Sequence, residues 1–148
     1  MFWNAGIVAL LGGLLAQAAK VAWELAAARK WRPLLFFANG GMPSSHAATV
    51  TTLALLVRRD CGSASPLFSL TLVFGIFVLF EATGLRQEMG KQARLLNDLR
   101  EALAAGTPWP GGRLRELVGH TWGEVVGGVV FGFLAYWWLG GLVRGPQP

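Results

Sequence analysis

Apolar and polar positions along this chain fall into blocks and do not alternate. Trp3 to Ala28 is almost entirely apolar, as are the runs opened by Pro66 and by Trp122. Each is close to the ~20 residues that cross a bilayer. The pattern predicts helices over about residues 4–28, 66–85 and 122–143. Between the first two, residues 43–57 predict a shorter helix of about fifteen residues. At 1.5 Å per residue that falls short of a hydrocarbon core of ~30 Å unless flanking segments help. Over residues 86–105 the pattern changes. Met89, Ala93, Leu96, Leu99 and Leu103 recur at helical spacing, with Arg94, Asp98 and Glu101 between them. That is an amphipathic helix, lying at a membrane interface or packed on a partner. The expected fold is a single all-α integral membrane domain: a small bundle with three transmembrane helices, one short or partly inserted helix, and one interfacial helix.

Composition agrees with that class. Charged residues make up 14% of the 148 residues and apolar ones 53%, where soluble domains carry about 25% charged residues. The first apolar run has no basic residue ahead of it and exceeds the 7–15 residues of a signal-peptide core, so it reads as a retained transmembrane helix. The single cysteine, Cys61, excludes an intrachain disulfide, and its neighbours do not suggest a reactive thiolate. The net charge of +5 comes from basic residues flanking the apolar runs, which favours anionic lipid head groups over nucleic acid as partners.

If helices one, three and last cross the membrane, one face collects Arg29, Lys30, Arg32, Arg86, Lys91, Arg94, Arg100, Arg113 and Arg115, nine in all. The other face has three: Arg58, Arg59 and Arg144. The positive-inside rule puts the richer face, with both histidines, in the cytoplasm of a cell (inner) membrane. The glycines of "VVGGVVFGF" permit close helix contact, and a homodimer through the last helix or the 86–105 helix is expected.

Three places carry candidate chemistry. In "NGGMPSSHAATV", Gly40 and Gly41 let backbone approach a ligand, Pro43 suits a first helical turn, and Ser44 or Ser45 can cap it. Free N–H groups at such a start attract phosphate, with His46 beside them; a capped helix with an incidental histidine explains the same residues. In "GHTWGEVVGG", His120 and Glu124 are four apart and share a helical face, so the carboxylate can hold Nδ1–H and leave Nε2 as nucleophile or base. Thr121 and Glu124 also fit a capping box. Lys20 sits mid-helix, with Gln17 and Glu24 a turn to either side, and a lysine there points to function or to a pair with Glu24. Glu81 and Arg86 form a similar polar intrusion near the end of the third helix.

With these residues in view, "AQAAK", "GGMPSSHAATV", "FEATGLR", "KQARLLN" and "LRELVGHTWGEV" resemble the divergent branch of the type 2 phosphatidic acid phosphatase superfamily, which also includes vanadium-dependent haloperoxidases. Pro43-Ser44-Ser45-His46 matches the superfamily's Pro-Ser-Gly-His. His120 and Glu124 match its His-x3-Asp with a longer carboxylate. The first motif, Lys-x6-Arg-Pro, departs: eleven residues lie between Lys20 and Arg32. The usual Ser-Arg just before the second histidine is missing, leaving Arg86 as substitute, and Glu81 stands where relatives of the branch usually have Asp.

The resemblance implies metal-independent hydrolysis of a lipid phosphomonoester, phosphatidylglycerophosphate or phosphatidate, with no cofactor. His120 would be the nucleophile held by Glu124, and His46 the acid and base. Lys20 and Arg86, with Arg29, Arg32, Ser44 and Ser45, would hold the phosphate, supported by Glu81 and Gly41. The alternative is an inactive anionic-lipid-binding or scaffolding membrane protein.

Overall fold

The computed structural model describes residues 4–29, 40–104 and 119–143, together with Pro33, Phe36 and Leu114; at 28, 85–87 and 102 it describes the helical backbone alone. Five α-helices make up the described chain: α1 (Ala5–Ala28), α2 (Ser45–Cys61), α3 (Pro66–Thr83), α4 (Leu85–Leu103) and α5 (Trp122–Leu139), followed by a 3₁₀ turn at Gly140–Leu142.

Most starts are set by local side chains. Asn4 accepts from the Ile7 N–H at 2.9 Å to open α1. Ser65 does the same for Phe68 at 3.1 Å, and Pro66 follows at the first helical position of α3. Such caps each contribute about 1 kcal/mol. Pro43 does not enter the first turn of α2 as expected. It follows a cis Met42–Pro43 bond, Ser44 is the cap, and the helix runs on to Cys61, past the 43–57 expected. In its last turn Arg59 Nη1 donates to the Gly140 carbonyl at 2.6 Å and Nε to Asp60 Oδ1 at 2.6 Å, tying α2 to the end of α5.

Helices α1, α3 and α5 are long and apolar enough to cross a membrane. Their side chains are distributed as lipid requires. Phe77 is 69% exposed and Trp137 77%, while the interior is built from Ala9, Ala16, Ala47, Ala48 and Ala135 with a few larger residues such as Leu56. In water this would be inside out; in a bilayer, small residues bring backbones together and large ones face the tails.

The short helix is the hub. α2 packs against α1, α3 and α5, whereas α4's principal helix contact is α3. The glycines of the last helix serve this hub. A side chain at Gly128 would strike Ser44 and Ala47, and one at Gly132 would strike Thr51 and the Ala48 carbonyl. Both positions are therefore filled from within the chain. Thr52 Oγ1 lies 2.8 Å from the Ala48 carbonyl and 3.1 Å from that of Gly132, a polar fastening inside the same contact.

On α4 the apolar stripe divides. Ala93 is buried with Asn97, while Met89, Leu96, Leu99 and Leu103 face out. Asn97 holds Leu114 through both its amide groups, Nδ2 to the carbonyl at 3.0 Å and Oδ1 from the N–H at 2.9 Å.

Candidate functional site

Three helix ends meet on one face of the bundle. Ser44 N–H donates to the Glu124 carbonyl at 3.0 Å, tying the start of α2 to the start of α5. His120 N–H donates to the Ala82 carbonyl at 3.0 Å, tying the approach to α5 to the end of α3. Gly40 and Gly41 both have positive φ, which disfavours a side chain, and both are closely approached: a Cβ would lie 3.1 Å from the Gly119 carbonyl at Gly40, and 3.1 Å from Lys20 Cδ at Gly41. Lys20 thus comes up from the middle of α1, 3% exposed, and lays its stem along the glycine loop.

The two histidines meet here. Their rings stand edge to face, with centroids 5.7 Å apart and planes at 68°. His120 is 1% exposed, and its Nδ1 lies 3.1 Å from Glu124 Oε2. An ionised carboxylate only accepts, so Nδ1 is the donor to it, and in the neutral ring this leaves the lone pair on Nε2. The same Oε2 accepts from the Thr121 N–H at 3.1 Å, and Thr121 Oγ1 accepts from the Glu124 N–H at 3.3 Å. The capping box and the histidine contact therefore coexist on one carboxylate. Glu124 also acts electrostatically on Lys20, so His120, Glu124 and Lys20 form one polar cluster.

The other candidates divide. Ser44 is fully buried, its hydroxyl accepting from the Ala47 N–H at 3.3 Å, so its N–H and its oxygen are both committed inside the protein. Ser45 lines a groove together with His46. Glu81 is exposed on α3, although the next residue, Ala82, supplies the carbonyl that receives His120. Arg29 closes α1 in a left-handed conformation and is exposed. The Arg86 side chain and the whole of Arg32 lie outside the described residues.

Residues 4–135 match the Divergent PAP2 family. The chain belongs to that family. It is also 34% identical, over 132 residues, to the uncharacterized membrane protein YuiD of Bacillus subtilis (strain 168), an alignment covering 82% of this chain and 84% of that protein. No solved structure matches. Both histidines, Lys20 and Glu124 fall within the segment matched to the Divergent PAP2 family. Two contacts went unassigned in the sequence: the Gly119 carbonyl against Gly40, and Asn97, which holds Leu114. A glycine just before a histidine hints at close backbone approach, but nothing near Asn97 marks Leu114 as its partner.

Proposed function

We propose that this member of the Divergent PAP2 family is a membrane-embedded lipid phosphate phosphatase working through a phosphohistidine. The observation that carries the reading is His120, buried and oriented by Glu124, with the His46 ring 5.7 Å away. His120 Nε2 attacks phosphorus as the bond to the lipid oxygen breaks, and protonated His46 gives its proton to that leaving oxygen. His46, now neutral, takes a proton from water as the water attacks phosphorus. The phosphorus–nitrogen bond breaks, and phosphate leaves with His120 restored. Lys20, the first turn of α2 around Ser45, and Arg86 offset the charge on the other phosphate oxygens. Positioning and charge dominate phosphoryl transfer, and this is the work such a cluster is suited to.

The decisive experiment is phosphate release by the purified protein in nanodiscs from a panel of phospholipids, including phosphatidate and phosphatidylglycerophosphate. Release from one of them, lost in His120→Ala, is the expected result. A second reading, an inactive binder of anionic lipid, draws support from the eleven residues between Lys20 and Arg32 where the superfamily motif has six. Binding of the same lipids without release from any would favour it and sink the first.

A further inference from the structure

Beside His46 an open groove of about 500 Å³ runs between α1, α2 and α3. Its two ends differ. Leu10, Leu14, Val50 and Val78 make one end apolar, and Gln17, Ser45 and His46 make the other polar. Along α1 the positions Leu10, Gly13, Gln17 and Lys20 follow at steps of three and four, so one helical face passes from hydrocarbon to cation. Seven residues separate Leu10 from Gln17, a rise of about 10 Å, so the apolar end runs away from the head-group face, toward the interior of the bilayer. Gly13 keeps the groove floor low: a side chain there would strike Thr49 Oγ1 and approach the Ser45 carbonyl at 3.4 Å.

Gln17 gives the polar end its chemistry. Its Oε1 is buried and has no hydrogen-bond partner among the described residues. A buried acceptor left unfilled is costly, so a ligand that brings a donor to it gains affinity over one that does not. The neighbouring Lys20 and histidines address a phosphate, and the donor must therefore stand close to the phosphate without being part of its anionic oxygens. A hydroxyl on the carbon next to the phosphorylated carbon fits that description.

We infer that the groove takes the acyl chain of a lipid phosphomonoester carrying such a vicinal hydroxyl, and that Gln17 Oε1 accepts a hydrogen bond from it. Two lipid types share this chemistry, a monoacylglycerol 3-phosphate and a phospholipid whose head group is glycerol phosphate. A diacylglycerol phosphate lacks the hydroxyl. The inference rests on the site proposed above for the phosphate, but its test does not require turnover.

The probe is a monoacylglycerol 3-phosphate with a diazirine at the chain end, photolysed on the full chain in nanodiscs, with adducts mapped by mass spectrometry. Adducts should fall on groove residues such as Leu10 and Val50. The unlabelled hydroxyl lipid should compete on the order of tenfold better than its deoxy analogue, an acyloxypropyl phosphate. Gln17→Leu should bring the two competitors level. Leu14→Trp, which fills the groove, should remove most adducts, while Leu15→Trp, outside the groove, should not. If Gln17→Leu fails to fold, the wild-type competition and the Leu14 and Leu15 pair still decide. A phospholipid with a glycerol phosphate head group, used as a third competitor, tells the two sources apart.

Equal competition by the deoxy lipid, or adducts spread over outward residues such as Phe77 regardless of Leu14→Trp, would overturn the inference. Phosphate release is measured in parallel. Hydroxyl-dependent labelling without release leaves the groove assignment standing and removes the phosphatase; release with hydroxyl-indifferent labelling does the reverse.

Discussion

At the scale of single residues, Glu124 carries two duties that a substitution can separate. Its Oε2 receives both the Thr121 N–H and His120 Nδ1. Glutamine can serve a capping box as glutamate does. Its amide can instead present a donor to Nδ1, which would force the ring proton onto Nε2 and block attack. Glu124→Gln should therefore keep its melting temperature to within a few degrees while losing activity by 10²–10⁴-fold, on the order of what misplacing a ring proton costs in a histidine-based triad. Equal loss of stability and activity would reduce Glu124 to a cap.

The two histidines separate by leaving group. His120→Ala should abolish release from every substrate. His46→Ala should keep part of the first step on p-nitrophenyl phosphate, because acid assistance, typically worth 10²–10⁴-fold, matters least for a good leaving group. Acid-labile, base-stable phosphate should then accumulate on His120; a label on serine would refute the scheme. The contact between His120 and Glu124 was legible as a spacing of four, although His120 precedes the Thr121 cap and reaches the carboxylate from outside α5. Lys20 against Gly41 was not, because the contact joins mid-helix α1 to a loop and no local spacing encodes it.

At the scale of elements, the central helix is held by absent side chains. A Cβ on Gly128 would sit 2.7 Å from that of Ala47 and 3.0 Å from that of Ser44. Gly128→Ala should cost roughly 1–3 kcal/mol by overpacking, read as a lowered unfolding midpoint in mild detergent. Gly123→Ala, with no neighbour nearer than 4.0 Å, should be within about 0.5 kcal/mol of the wild type, as surface changes usually are. If both variants melted alike, the α2–α5 contact would be wrong. The glycines were visible in the sequence as permission for close packing. Their partner was not, because a glycine marks where a helix can come near without saying which one does. For the same reason the sequence showed that α2 is short but not that it packs against α1, α3 and α5. Length speaks to crossing a bilayer, and neighbours decide position.

At the scale of the whole molecule, the end of α3 and the starts of α2 and α5 share one face, and the ends of α2 and α5 share the other, joined by Arg59 to the Gly140 carbonyl. The nine-to-three division of basic residues follows that same partition of the chain. The positive-inside rule predicts that the histidines face the cytoplasm and that the end of α2 faces the other side. The chain carries its own reporter for this. Cys61, its single cysteine, is exposed at the end of α2. In intact cells or spheroplasts a membrane-impermeant maleimide should label native Cys61 without lysis. In a Cys61→Ser background, Gln92→Cys, at an exposed position on α4 near the site end of α3, should react only after permeabilisation. The opposite pattern would turn the protein over and place the histidine site in reach of lipids of the outer leaflet. Labelling of both positions without lysis would contradict a two-faced bundle altogether, since the ends of α2 and α3 would then lie on one side.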